Sequence, residues 1–274
     1  MKNDDADFTR RRFCDRKDAM KQNKMKAKLL RGEPVFGVSI MIPSPQIVEI
    51  AGKLGFDWVL IDCEHGTISI ETVEMLAMAA EACGITPIAR PRTKSPEDIL
   101  HVLDRGAMGV QVPHVNTAAD ARQAVEAVKY HPLGTRGLAA GTRPAEYGFG
   151  ESMDRFVEVS NRETLVCVQL EEEAAIEHAD EIVNVDGVDV FFIGPSDLSQ
   201  SMGYPGNAKA PPVQKAIEST CRKILSAQKI VGMPGAIDTI KDVLEKGILY
   251  TYTHITKLMG YAGKEFFRNA GVNR

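Results

Sequence analysis

The segment SPQIVEIAGKLGFDWVLIDCEH, residues 44–65, contains one complete unit of the fold in linear form. Ser44 followed by Pro45 is a helix start. A short hydroxyl side chain can accept from an orphan backbone amide, and proline loses no hydrogen bond at the first helical position. Ile47, Ile50, Ala51 and Leu54 are spaced i, i+3, i+4, i+7, which places them on one helical face ready to lie on a sheet. Gly55 closes the helix in the left-handed conformation. DWVLIDCE (57–64) then gives a short apolar run without the alternation of a half-wet strand. A strand buried on both faces belongs to a parallel sheet covered by helices.

The same unit recurs along the chain. Strand candidates stand at 34–41, 57–64, 86–91, 107–115, 164–172, 189–197, 230–236 and 248–255, several of them nearly continuously apolar, as in DVFFIG within 189–197. SPEDILHVLDRG repeats the Ser-Pro helix start from Ser95, and TAADARQAVEAV starts at Thr117. A helix, a glycine and then a strand follow one another at Gly55, Gly84, Gly106, Gly187 and Gly247. Eight strand–helix units over residues 27–274 predict a single (β/α)₈ TIM barrel. A doubly wound open sheet is the runner-up, but no GxGxxG follows its first strand. The longest irregular stretch, residues 131–150, is expected to be a lid or substrate loop.

Charge separates the chain into two parts. Residues 1–31 hold 11 Lys and Arg against 5 Asp, leaving 22 against 32 for the rest. Residues 1–26 are read as a basic, flexible extension. TRRRF (9–13) imitates an export signal but lacks the apolar run that must follow it. A net charge of −4 argues against nucleic-acid binding by the whole chain, and no stretch is long and apolar enough to span a membrane. The five cysteines are scattered and never CxxC, which fits reduced thiols in a cytoplasmic protein rather than disulfides or structural zinc.

In a barrel, side chains at the C-terminal strand ends converge on one mouth. Those ends supply Asp62, Glu64, His65, Arg90, His114, Gln169, Glu171 and Asp197. Buried carboxylates of this number need a compensating cation. Glu171 and Asp197 make an oxygen-rich pair suited to a hard divalent ion such as Mg²⁺ or Mn²⁺. With Arg90 beside it, such an ion would hold the enolate of a 2-oxo acid. His65 is the candidate base and Asp62 the candidate orienter of its ring. No lysine occurs in the eight strand segments, so an imine mechanism has no nucleophile there.

GFDWVLIDCEHGTIS (55–69), PIARP (87–91), QVPHVNTAADARQAVEAVKYHPLGTRG (111–137), VQLEE (168–172) and GVDVFFIGPSDLSQSMGYPGN (187–207) together resemble the HpcH/HpaI family. These are class II, metal-dependent pyruvate aldolases whose type members cleave 4-hydroxy-2-oxoheptanedioate or 2-dehydro-3-deoxyglucarate. The resemblance implies Glu171 and Asp197 as ligands of a divalent ion (Mg²⁺, Mn²⁺ or Co²⁺), His65 as acid–base residue with Asp62, and Arg90 on the keto oxygen. It also implies the pyruvate carboxylate on backbone amides near Ser196 and Asp197, Gln169 lining the site, and Glu64 on metal-linked water. Asp104 matches a position that reaches a neighbouring subunit's site, in homo-oligomers that are hexamers with exchanged C-terminal helices. Three features depart from the pattern: Cys63 for a glycine, His114 for an apolar residue, and the loop GTRPAEYG (141–148). The expected reaction is retro-aldol cleavage of a 4-hydroxy-2-oxo acid to pyruvate and an aldehyde. The alternatives are a citrate-forming condensation of oxaloacetate with acetyl-CoA and a non-catalytic scaffold with a basic binding tail.

Overall fold

A computed structural model of the 274-residue chain describes residues 22–272. The strands are β1 (Val35–Ile40), β2 (Trp58–Asp62), β3 (Thr86–Arg90), β4 (Gly109–Val112), β5 (Leu165–Leu170), β6 (Val190–Ile193), β7 (Ile230–Pro234) and β8 (Tyr250–His254). All neighbours pair in parallel and in sequence order, and β8 returns to β1, so the sheet closes into the expected eight-stranded barrel.

Period-two alternation divides every strand between two cores. On β2, Val59, Ile61 and the following Cys63 face the helices, while Trp58 and Leu60 fill the barrel. Inside, Trp58, Tyr250, Phe192 and Tyr252 stack against one another, with ring centroids 4.3 to 6.1 Å apart. This packing explains two interior glycines. A Cβ on Gly37 would lie 2.3 Å from the Trp58 indole, and one on Gly232 would lie 2.8 Å from Phe192. The helix Lys24–Leu30 closes the bottom with Met25 and Leu29, both buried against the interior aromatics. Asn23 caps that helix and donates to the Met108 and Glu163 carbonyl oxygens. The expected boundary after residue 26 therefore falls inside a helix packed on the barrel, and residues 1–21 lie outside the described residues.

On the helix Pro45–Lys53, the buried residues are Val48 and Ala51, whereas Ile50 and the following Leu54 are 54% and 68% exposed. The helix carries apolar residues around more than one face, and the sheet takes the Val48–Ala51 side. The 131–150 loop does not cover the C-terminal mouth. Its Arg143 pairs with Glu81, and Arg136 pairs with Asp104 at 2.8 Å. Both acids stand near the C-terminal ends of the helices Ile70–Cys83 and Pro96–Asp104, where the chain enters β3 and β4. The loop thus lies at the opposite end of the barrel from the strand C-termini.

The five helix-to-strand glycines all have φ between +73° and +103°, as their position requires. The final helix, Ile255–Asn269, has no fully buried residue, and only Ile255 and Leu258 near its start pack partly buried against the core. Among the described residues, no helix is long and apolar enough to cross a membrane.

Candidate active site

Asp62 and Arg90 are register partners on β2 and β3, and both point into the mouth. Arg90 Nε donates to Asp62 Oδ1 at 3.0 Å and Nη2 to Oδ2 at 2.5 Å, with Asp62 fully buried and Arg90 4% exposed. Burial opposes the guanidinium charge, yet the hydrogen bond and charge of Asp62 outweigh it and hold Arg90 above its ordinary pKa. The third guanidinium nitrogen, Nη1, faces Glu64 Oε2 at 3.1 Å. Asp62 Oδ1 also accepts from the backbone N–H groups of Glu64 and His65, each at 3.2 Å. Asp62 therefore fixes the turn that carries His65 without touching its ring. The ring is about half exposed, and its Nε2 lies 3.7 Å from Glu64 Oε2. The expected Asp62–imidazole pairing is replaced by the Asp62–Arg90 fork, because a bidentate guanidinium on the adjacent strand is the stronger partner.

Around Glu64 gathers a second group. His114 Nε2 lies 3.0 Å from Glu64 Oε1, and its Nδ1 lies 2.8 Å from Glu172 Oε1 and 3.5 Å from Glu171 Oε1. The His114 backbone N–H donates to Glu171 Oε1 at 2.9 Å. Burial works against the imidazolium, but Glu171, Glu172 and Glu64 together raise the His114 pKa. Burial likewise raises that of Glu171, which is 1% exposed, against the stabilising donors from Gln169 and His114. Glu171 has room beside β6 because residue 194 is glycine: a Cβ there would meet the carboxylate at 3.0 Å.

A hydrogen-bond relay reaches Glu171 from the barrel interior. Tyr250 Oη donates to Gln111 Oε1 at 3.3 Å, Gln111 Nε2 donates to Gln169 Oε1 at 2.5 Å, and Gln169 Nε2 donates to Glu171 Oε2. Every donor points toward Glu171, which orients the carboxylate as an acceptor. Gln111, Glu172 and His254 are the residues that sequence reasoning did not place in the site. The inward parity of Gln111 on β4 and of His254 on β8 was the available signal. Burial first, then Lys257 and Arg90, lowers the His254 pKa.

The remaining candidates are spread more widely. Ser196 and Asp197 occupy the first turn of the helix Pro195–Ser201 that leaves β6, Ser196 exposed and Asp197 half-buried. Asp104 is far from this chain's own mouth, held by Arg136, whose guanidinium stacks 4.7 Å above the Tyr130 ring. Cys63 is 4% exposed on the helix-facing side of β2, and burial pushes its thiol up to about 12.

Four carboxylates, Asp62, Glu64, Glu171 and Glu172, thus gather around the Arg90 guanidinium and the His114 imidazole, with the His65 ring 3.7 Å from Glu64 at the edge. Donor atoms of Glu64, His114 and Glu171 lie within 4.8 Å of one another. Ligands about 2.1 Å from a single divalent ion span comparable distances, so the donor set fits a metal.

Fold and site define a (β/α)₈ barrel whose mouth gathers carboxylates, an arginine and histidines in an arrangement that could hold a divalent cation. Residues 37–266 match the family HpcH/HpaI aldolase/citrate lyase. A 2-keto-3-deoxy-L-rhamnonate aldolase of Klebsiella pneumoniae is 39% identical over 216 residues, covering 78% of this chain and 80% of the relative. An HpcH/HpaI aldolase/citrate lyase family protein from Burkholderia cenocepacia superposes with a TM-score of 0.86 at 25% identity, covering 91% of this chain and 99% of that one. The citrate synthase SbnG superposes with a TM-score of 0.80 at 28% identity, over 91% and 98% of the two chains. The chain belongs to the HpcH/HpaI aldolase/citrate lyase family. It is a carbon–carbon lyase, an aldolase that releases pyruvate and an aldehyde.

Proposed function

We propose that the substrate is a 2-keto-3-deoxy sugar acid, a 4-hydroxy-2-oxo acid of the kind named for the Klebsiella relative. The observation that carries this reading is the buried Asp62–Arg90 fork set against the carboxylates Glu64 and Glu171 at one mouth. Glu171 and Asp197 would hold the divalent ion, and Glu64 would support its water shell. When bound, that ion supplies a Lewis acid for the keto and carboxylate oxygens of the substrate.

Arg90 donates to the keto oxygen with the face not taken by Asp62, and the first-turn amides at Ser196 and Asp197 receive the carboxylate. Gln169 lines the pocket and fixes Glu171. His65, on its exposed turn, removes the C4 hydroxyl proton. The C3–C4 bond then breaks, its electron pair passes to the 2-oxo group as an enolate, and protonation at C3 gives pyruvate. A screen of 4-hydroxy-2-oxo acids with coupled pyruvate detection tests the reading. Turnover of a 2-keto-3-deoxy sugar acid is expected, and inactivity across the panel would contradict it. The likeness to SbnG makes citrate formation the second reading, detected as free thiol released from acetyl-CoA and oxaloacetate.

The quaternary proposal is a homo-oligomer with exchanged C-terminal helices, a hexamer in which Asp104 serves a neighbour's site. Its support is the Ile255–Asn269 helix, with Met259 and Phe266 63% and 69% exposed. Beside its root an apolar groove of about 250 Å³ runs between Phe36, Phe56, Ile240 and Leu258. Four free thiols among the described residues, three of them buried, suit a cytoplasmic setting.

A further inference from the structure

We infer that His114 is a ligand of the catalytic cation, so that this chain has a mixed oxygen–nitrogen metal site. The inference rests on the metal reading above and adds a residue to it. Three observations carry it. The first is placement: His114 Nε2, the ring nitrogen not held by Glu172, lies 3.0 Å from Glu64 Oε1, and one donor atom each of His114, Glu64 and Glu171 falls inside one 4.8 Å cluster. The second is rigidity. His114 has φ +55°, a left-handed conformation in which histidine, asparagine and aspartate are enriched among non-glycine residues. Its N–H is bound to Glu171 and its carbonyl oxygen accepts from Lys94 Nζ at 3.1 Å. The backbone thus ties the imidazole to the carboxylate it would share a metal with.

The third observation is the surrounding shell. Metal-bound histidines usually keep their second ring nitrogen on a carboxylate, which fixes ring orientation and tautomer. Glu172 Oε1 sits 2.8 Å from His114 Nδ1, and its other oxygen accepts from Asn116 Nδ2 at 2.8 Å. On the far side, Glu64 Oε2 is buried without a hydrogen-bond donor and meets Arg90 as an ion pair at 3.1 Å. The donor set therefore has both the ligand and its support in place. A nitrogen ligand changes which ion is preferred: imidazole suits Co²⁺ and Zn²⁺ better than it suits Mg²⁺.

The test is pulsed EPR of full-length protein loaded with one Mn²⁺ per chain, alongside Co²⁺ and Mg²⁺ titrations. The wild type is expected to show a directly bound imidazole nitrogen. His114→Asn and His114→Gly, both compatible with a positive φ, should lose that nitrogen while still binding Mn²⁺. Co²⁺ affinity should fall by about 10- to 100-fold, with Mg²⁺ affinity less affected. Absence of nitrogen coupling in Mn²⁺-loaded wild type, or its persistence in both variants, would overturn the inference alone. Mn²⁺ binding that survives Glu171→Gln unchanged would overturn the metal reading and the inference with it.

Discussion

At the scale of single residues, the site depends on a charge pair that is stable only when complete. Asp62 is fully buried, so Arg90→Met leaves a carboxylate without its counter-charge and is expected to cost about 3–5 kcal/mol in urea unfolding. Arg90→Lys keeps the charge and loses the fork. It should retain most of the stability while losing far more of kcat, since a lysine cannot hold Asp62 and a keto oxygen together. Equal loss of both quantities would argue that Arg90 is structural only. Asp62, Arg90 and Gln169 were legible because parity and strand ends are written in the sequence. The partner of Asp62 was not, since nothing in the residue order says that Arg90 on the neighbouring strand outcompetes His65 at i+3. Cys63 needed only alternation: it follows Ile61 outward, and a thiol pushed to about 12 by burial should resist alkylation at pH 8 in the folded enzyme.

At the scale of elements, helix starts, αβ glycines and all eight strands could be read because each depends on local chemistry. The side of the barrel chosen by the 131–150 loop could not be, because it is set by the long-range pairs Arg143–Glu81 and Arg136–Asp104. At that same end Lys129, which follows the helix Ala118–Val128, donates to the carbonyl oxygens of Asn161 and Thr164 at 2.8 and 2.7 Å. Burial, helped by Lys26, lowers its pKa to about 8. An unfolded lysine titrates near about 10.4, so between pH 8 and that value the unfolded chain binds more protons than the folded one. This group's contribution to stability should therefore rise with pH across that window. Melting temperatures of wild type and Lys129→Gln from pH 7.5 to 10.5 check the sign. Their difference should shift toward the wild type as pH rises, and a constant difference would contradict the assignment.

At the scale of the whole molecule, closure into a barrel followed from counting units, whereas the proposed assembly has only indirect support in one chain. That support is the 15-residue helix Ile255–Asn269, none of whose residues is fully buried. Deleting residues 255–272, or replacing Met259 and Phe266 by Glu, should reduce the sedimentation coefficient from an oligomer toward a monomer. An unchanged assembly would place the interface elsewhere. In the reading proposed above, the Glu171 mouth cleaves a 2-oxo acid with the help of a divalent ion. The most direct measurement is pyruvate release from 2-keto-3-deoxy-L-rhamnonate by wild type, by chelated wild type with and without restored Mn²⁺, and by Glu171→Gln. Release that is abolished by chelation, restored by metal, and lowered roughly 10²- to 10³-fold in the variant is the expected result. Pyruvate release indifferent to both chelation and Glu171→Gln would contradict it.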